Sequence, residues 1–158
     1  MSTFSINDIS TTADRFKLCT LMCNANELTD KIAFVKSQNI NVINIGKELA
    51  TYIDGLEDFS YLNIDVYDYT KKLLDKHKSK INSMGNDVLA IYNLGILMEP
   101  ALKLNAVQLL KEFSKSASLI IIWDNQSDIP DRLIWPTQKN NFFLDFSESQ
   151  LKNLQYAI

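Results

Sequence analysis

The chain has 158 residues, 46% of them hydrophobic, and a formal net charge of −3. That length and apolar content support one domain over residues 1–158 with a core of its own, and the slight negative charge gives no global attraction to nucleic acid or anionic lipid. Four residues are glycine, Gly46, Gly55, Gly85 and Gly95, and their spacing excludes both the G-x-x-x-x-G-K-[ST] and the G-x-G-x-x-G phosphate loops.

Thr3 to Asp14 carries Phe4, Ile6 and Ile9 on one helical face, with Ser5 as cap and Asp8 as its acidic partner three residues on. Arg15 to Cys23 is almost wholly apolar and predicts a strand buried on both faces. Asn24-Ala25-Asn26 breaks it. Glu27 to Gln38 then reads as a helix with Leu28, Ile32 and Val35 inward, and Ile40 to Ile45, rich in β-branched residues, as a second strand. A helix follows over Lys47 to Leu56, ended by Gly55 or by the Glu57-Asp58 pair. A longer one spans Ile64 to Ile81, with Tyr67, Leu74 and Ile81 at heptad spacing, capped by Asn63, with Asp65 and Asp68 in its first turns. Gly85 marks a turn over Ser83 to Asn86. Val88 to Tyr92 is a third strand, and Leu94 to Met98 an irregular apolar stretch stopped by Pro100. Leu104 to Ser114 is a helix, and Leu119 to Trp123 a purely apolar fourth strand leading into a polar loop, Asp124 to Pro130. Arg132 to Trp135 and Phe142 to Phe146 are short strands at a sheet edge, because Pro136 flanks the first. Ser147 to Tyr156 is a final short helix capped by Ser147. This alternation predicts an α/β fold, three-layer α/β/α, with a mainly parallel sheet.

The sole histidine, His77, rules out a multi-histidine metal site and has only Asp75 near it in sequence to orient it as a base. Cys19 and Cys23, four apart in an apolar run, lack the further ligands of a zinc site and read as buried thiols of a reducing compartment. The polar start and the lack of an 18-residue apolar run are read as a soluble cytoplasmic protein without a leader or membrane partner. In open parallel sheets, ligands bind beyond the carboxyl ends of the strands. The residues there are Asn24, Ala25, Asn26 and Glu27 after the first strand, Tyr92, Asn93 and Gly95 after the third, and Asp124, Asn125 and Gln126 after the fourth. None is a basic phosphate anchor, Lys31 is one turn into the first helix, and ordinary turn and capping residues look the same. Lys71, Lys72, Lys76, Lys78 and Lys80 concentrate positive charge in the second half of the long helix. They are either a solvated face or a docking site for phosphate backbone or an acidic partner. Trp123, Trp135, Phe142 and Phe143 either fill the sheet edge or, where exposed, mark a protein interface.

Three stretches carry a family likeness. Val88 to Leu104 (VLAIYNLGILMEPALKL) is a strand running into an acidic-Pro-x-Leu turn and then a helix. Asn41 to Leu49 (NVINIGKEL) has the pattern of a second strand and helix, and Leu109 to Ser114 (LLKEFS) precedes an apolar strand ending at Trp123. Over residues 40–145 the chain resembles the BrxF family, the small P-loop proteins of type 3 BREX bacteriophage-exclusion systems. The resemblance implies a P-loop-NTPase-like fold and a role in bacterial anti-phage defence. It also implies a phosphate loop after the first strand, a Walker B acid near Tyr92 and a second acid near Gly95.

The residues depart from that pattern at each place. Cys23 to Lys31 reads CNANELTDK, with no glycine and no Lys-Thr pair, and neither Tyr92 nor Gly95 is acidic. A phosphate loop turns backbone amides inward, often at positive φ; Asn tolerates that conformation, but Glu27 adds negative charge beside a polyphosphate. Without the acids, Mg²⁺ has no carboxylate and the attacking water no base. Asn24, Asn26, Thr29, Lys31, Tyr92 and Asn93 therefore stand as a vestigial nucleotide site. The expectation is a non-catalytic subunit without cofactor, acting through other defence proteins or DNA. Two alternatives stay open. One is a nucleotide-binding protein or ATPase with a divergent phosphate site, in which Asn24, Asn26, Thr29 and Lys31 grip one phosphate at a helix N-terminus, and only there do ATP and Mg²⁺ enter. The other is a DNA-binding accessory module using residues 71–80.

Overall fold

A strand that is apolar at every position can be buried only between two layers of helices. The computed structural model, which describes residues 3–124, 131–136, 141–147 and 151–154, is built around such strands. In chain order the elements are β1 (Thr3–Phe4), α1 (Ile6–Thr11), β2 (Leu18–Met22), α2 (Leu28–Ser37), β3 (Val42–Asn44), α3 (Ile45–Asp54) and α4 (Leu62–His77). Then come β4 (Ser79–Lys80), β5 (Asp87–Tyr92), α5 (Ala106–Ser116), β6 (Ala117–Trp123), β7 (Arg132–Pro136), β8 (Asn141–Asp145) and β9 (Lys152–Leu154). Short 3-10 turns lie at Ala25–Glu27, Gly95–Met98 and Pro100–Leu102.

The main sheet runs β1-β9-β2-β6-β5-β3, and every neighbouring pair in that path is parallel. Numbered along the chain, its five principal strands (β2, β3, β5, β6, β9) have the spatial order 5-1-4-3-2. The carboxyl ends of the first and third of them thus flank that of the fourth, β6. Side chains alternate between faces with period two. Cys19, Leu21, Ala90, Ile120 and Ile122 pack with Ile9 of α1 and Val35 of α2. Leu18, Leu89, Ile91, Leu119 and Ile121 pack with Leu49 of α3, Leu74 of α4 and Leu110 of α5. This is the α/β fold with a mainly parallel sheet between helices that the alternation predicts.

Local capping follows the sequence where a short polar side chain precedes a helix. The Asp8 amide donates to Ser5 Oγ at 3.2 Å and the Ser5 amide to Asp8 Oδ2 at 3.0 Å, a reciprocal box. Asn44 and Asn105 cap α3 and α5 from one side, their side-chain oxygens accepting the Lys47 and Gln108 amides.

Three expected elements differ. The long helix begins at Leu62, so Asn63 lies inside its first turn and caps nothing, and it ends at His77. Ser79 and Lys80 instead pair antiparallel with Val88 and Asp87. The turn between them is held by the Gly85 amide on the Asn82 carbonyl at 2.9 Å and the Met84 amide on Asn82 Oδ1 at 3.1 Å. A Cβ on Gly85 would stand 2.5 Å from the Ser10 carbonyl oxygen, so glycine lets this turn seat against α1. These turn and ladder bonds replace the last helical turn that the heptad spacing of Ile81 predicts. Second, the expected C-terminal helix contains a strand: β9 pairs with β1 and β2, and the Thr20 hydroxyl donates to Asn153 Oδ1 at 3.0 Å. Residues 148–150, 155 and 156 of that helix lie outside the described residues. Third, β7 and β8 pair antiparallel with each other and not with the edge of the main sheet, and Leu133 and Leu144 bury in the core on the α3–α5 side. Among the described residues no helix is long and apolar enough to cross a membrane.

Two stability measurements check this architecture. Leu89 is fully buried in β5, so Leu89→Ala should lower unfolding free energy by about 2–5 kcal/mol in urea titration. The Lys152 ammonium bonds the Asp14 carboxylate and holds its pKa below the usual carboxylate value, joining β9 to the segment before β2. A depressed folded-state pKa stabilises above the unfolded value and stops doing so as pH falls through the folded one. Stability should therefore drop with acidification below about pH 4, and Asp14→Asn should flatten that part of the profile.

Candidate functional site

The sheet register sets the site. Met22 lies opposite Trp123, Ile91 opposite Ile121 and Asn44 opposite Tyr92, so β2, β6, β5 and β3 end side by side. A cavity of about 340 Å³ opens at those ends, at the small end of the range for small-molecule sites, roughly 300–1,000 Å³. Tyr92 and Asn93 line it from β5, Trp123 and Asp124 from β6, and Leu28 from the start of α2. Trp135 of the β7–β8 hairpin and Gly95 complete the wall. Asn125 and Gln126, expected at the same edge, lie outside the described residues.

The segment after β2 does not form a phosphate cradle. Asn24 is extended, at φ −86° and ψ 161°, and Ala25–Glu27 is a single 3-10 turn leading directly into α2. The described non-glycine residues with positive φ are Asn39, Asn93, Lys103 and Asp131, none of them in this segment. The alternation of right- and left-handed residues that turns successive amides onto an anion is therefore missing there. Glu27 Oε1 accepts the Asn24 amide at 2.9 Å, so the chain's own carboxylate takes the first donor of the turn. Asn24, Asn26 and Thr29 are exposed and Lys31 is half-buried; none of the four is among the cavity's lining residues. Burial, then the Asp124 and Glu27 carboxylates, push the Cys23 thiol up, with Lys31 opposing. Cys19 is raised by burial alone. Both cysteines are free and buried, and neither is activated as a nucleophile.

Asn93 has a structural task. It sits at φ 59°, the left-handed region that Asn tolerates. Its Nδ2 donates to Asn44 Oδ1 at 2.8 Å, and the same oxygen accepts the Lys47 amide at 3.0 Å. Asn93 thereby ties the end of β5 to the cap of α3. A Cβ on Gly46 would lie 2.4 Å from Asn93 Nδ2, so glycine makes room for the tie.

At Gly95, where the resemblance places a second acid, a Cβ would lie 2.5 Å from Trp135 Cζ2. An indole occupies the space an acidic side chain would need. Asp124 is the one carboxylate among the described lining residues. Trp123 is 3% exposed, and its Nε1 is buried without a hydrogen-bond partner. An unmet donor of that kind costs roughly 1–3 kcal/mol.

The predicted basic face divides. Lys71, Lys72 and Lys76 remain on α4 and are exposed. Lys78 and Lys80 leave the helix. Lys78 pairs with Asp75 at 3.7 Å and Lys80 with Asp87 at 3.8 Å, and Lys80 Nζ also donates to the Gly85 carbonyl at 2.9 Å. A second positive cluster gathers around the Phe16 ring. Arg15 Cζ, Lys111 Nζ and Lys115 Nζ stand 5.1, 4.8 and 5.9 Å from its centroid, and Lys17 Nζ donates to the Lys115 carbonyl at 2.9 Å. The Lys115 ammonium bonded to Glu112, with Lys71 and Arg15 further off, holds that carboxyl below its usual range. No local run of charge announces this cluster, because Lys17 and Lys115 are 98 residues apart.

The C-terminal aromatics also divide. Trp135 stacks near Phe142 at 6.2 Å between centroids and is half-buried. Phe143 is 51% exposed beneath the Arg132 guanidinium at 4.3 Å. No protein-family model, curated protein or solved structure matches the chain.

The contact between Gly95 and Trp135 is directly testable. Gly95→Ala should displace the indole, destabilise the fold by about 1–3 kcal/mol and shift tryptophan emission to the red. Gly55→Ala, whose Cβ would meet nothing nearer than 3.5 Å, should leave both readouts close to the parent.

Proposed function

We propose that the chain is a non-catalytic, P-loop-NTPase-like subunit of a bacterial anti-phage defence system of the BREX type, working through macromolecular contacts. The defence role rests on the resemblance of residues 40–145 to the BrxF family. That role predicts a methyltransferase and large ATPases encoded beside this gene. The fold assignment is supported by the parallel sheet, whose order brings the segment after β2 and the end of β5, where the resemblance places the phosphate loop and the Walker B acid, to either side of β6.

The observation that carries the loss of catalysis is the indole of Trp135 against Gly95. Phosphoryl transfer depends almost wholly on positioning and charge stabilisation, and here an uncharged ring stands where one charged group belongs. Glu27 on the Asn24 amide adds a carboxylate where a polyphosphate would bring its own negative charge. The alternative of a divergent phosphate site at Asn24, Asn26, Thr29 and Lys31 draws no support from a backbone without inward-turned amides. Calorimetry with ATP–Mg²⁺ should show no micromolar binding, and phosphate release should stay at background. Either signal would overturn this reading.

A contact with DNA is the second reading, and the cations around Phe16 favour it over the 71–80 run. Backbone binding releases counterions, so log K should fall with log salt at about 0.9 per phosphate neutralised. Charge reversal of Arg15 and Lys111 should weaken duplex binding and reduce that slope. Reversal of Lys78 and Lys80, which already hold carboxylates, should do so less. Failure to bind duplex DNA at low salt leaves protein partners as the working contact.

A further inference from the structure

We infer that the turn before α4 and the first half of that helix form a docking surface for a partner protein's segment rich in arginine and aliphatic residues, seated on Tyr61 and Ile64 and paired with Asp65 and Asp68. The inference does not depend on the defence role. The groove beside Ile64 shares no lining residue with the cavity at the ends of β5 and β6.

Composition isolates the surface first. Between Lys47 and Lys71 the chain has six carboxylates, Glu48, Asp54, Glu57, Asp58, Asp65 and Asp68, and no lysine, arginine or histidine. Four of its six tyrosines, Tyr52, Tyr61, Tyr67 and Tyr69, lie in the same stretch, and tyrosine is a residue that interfaces favour. Exposure comes next. Phe59, Tyr61 and Ile64 are 55%, 65% and 53% exposed, three of the five large apolar side chains that stand open among the described residues. The backbone beneath them is tied. Asp58 Oδ1 accepts the Ser60 hydroxyl at 2.6 Å and its amide at 2.9 Å. The Phe59 carbonyl accepts the Leu62 amide at 3.3 Å, and the Tyr61 carbonyl accepts the Asp65 amide at 2.9 Å. Leu62 itself packs against the core. An ordered turn thus holds apolar side chains in solvent amid carboxylates, and exposed apolar surface rimmed by polar residues marks an interaction site.

The neighbours of these side chains set the partner's chemistry. Ile64, Tyr67 and Asp68 line one groove of about 240 Å³ with Leu104 and Lys103 from the chain just before α5. Tyr52 of α3 stacks on Tyr69 of α4 at 4.0 Å between centroids, 2° from parallel. Burial, then Asp65, Tyr69 and Asp68, push the Tyr52 phenol up, so both carboxylates stand beside the ring pair. Aromatic rings set among carboxylates suit a guanidinium, which stacks on a ring and pairs with a carboxylate. The groove between Ile64 and Leu104 takes an aliphatic side chain. Lys103 is the one cation among its described lining residues. The same carboxylates repel phosphate, so this surface selects a basic protein segment and not nucleic acid.

The full-length protein, isotope-labelled so that amide shifts can be followed, is titrated with a short amidated peptide of arginine and leucine. Two matched peptides carry glutamate in place of arginine, or serine in place of leucine. Saturable binding of the arginine–leucine peptide is expected, with its largest amide shifts over residues 52–69, and no binding of the glutamate peptide. Loss of the leucines should weaken binding roughly tenfold. Tyr61→Ser with Ile64→Ser should weaken the first peptide roughly tenfold or more. Asp65→Asn with Asp68→Asn should weaken it and flatten its salt dependence, and serves alone if the other pair does not fold. Tyr61, Ile64 and Asp68 are exposed and Asp65 is half-buried, so both double variants should keep the parent's urea midpoint. Absence of saturable binding at millimolar concentration overturns the inference. So do largest shifts outside residues 52–69, unchanged affinity in Tyr61→Ser with Ile64→Ser, or a serine peptide that binds as tightly as the leucine one. A mass that rises with protein concentration and falls back in the same variant also overturns it, because the occupant is then a second copy of the chain. Micromolar ATP–Mg²⁺ binding would overturn the non-catalytic reading instead, so the two failures are distinct.

Discussion

The two-sided burial of β6 is the constraint on which the rest of the molecule depends. All seven of its residues are buried, so neither face of the sheet can meet water and each must carry helices. With both faces covered, the polar groups that a ligand or partner could use are pushed to the strand ends. The 5-1-4-3-2 order then decides which ends are neighbours. Trp123 and Asp124 emerge at the end of β6 beside Tyr92 and Asn93 at the end of β5, and the cavity lies between these endings, Leu28 of α2 and Trp135.

What fills that space explains the small number of glycines better than composition does. No described glycine has positive φ; the left-handed positions are held by Asn39, Asn93, Lys103 and Asp131. Gly46, Gly85 and Gly95 instead omit a Cβ where another chain segment comes within 2.4–2.5 Å of its ideal place. Glycine is used here for close packing. In a phosphate cradle it would be used for backbone conformation, and that use is absent from the described residues. Two of the three close approaches, Asn93 at Gly46 and Trp135 at Gly95, lie at the carboxyl edge of the sheet. The space at that edge has been given over to contacts within the chain.

The apolar strands and the capped helices were legible in the sequence because they depend on local pattern. Ser5 and Asp8 form their box within one turn, and Leu119 to Trp123 can be nothing but buried. Elements that depend on distant partners were not legible. Lys152–Leu154 has neither alternation nor β-branching, and it becomes a strand because β1 and β2 offer their edges to it. The heptad of Tyr67, Leu74 and Ile81 was misleading at its end, since the ladder between β4 and β5 competes with one further helical turn. Among the candidate residues, Tyr92 and Asn93 line the cavity, at the strand end to which the rule points. Asn24, Asn26, Thr29 and Lys31 were grouped with them as the remnant of a phosphate loop, and the structure leaves these four off the cavity wall. Trp135 was singled out only as an edge or interface aromatic, and its contact with Gly95 had no signal because the two lie on different elements. The cluster at Phe16 had none either, being assembled from both halves of the chain.

Charge at the carboxyl edge and charge at Phe16 have opposite sign, and this separates two surfaces of the molecule. Near the end of β2 the Cys23 thiol feels Asp124 and Glu27 more than Lys31, so the local field there is negative. Arg15, Lys17, Lys111 and Lys115 gather at the start of β2 and the end of α5, the opposite end of the same strand layer, with Glu112 as a partial counterweight. Among the described residues, cations thus gather at the amino-terminal edge of the sheet, and the Asp124 and Glu27 carboxylates at the carboxyl-terminal one. Net charge conceals the arrangement, because −3 is the sum of the two edges and everything between.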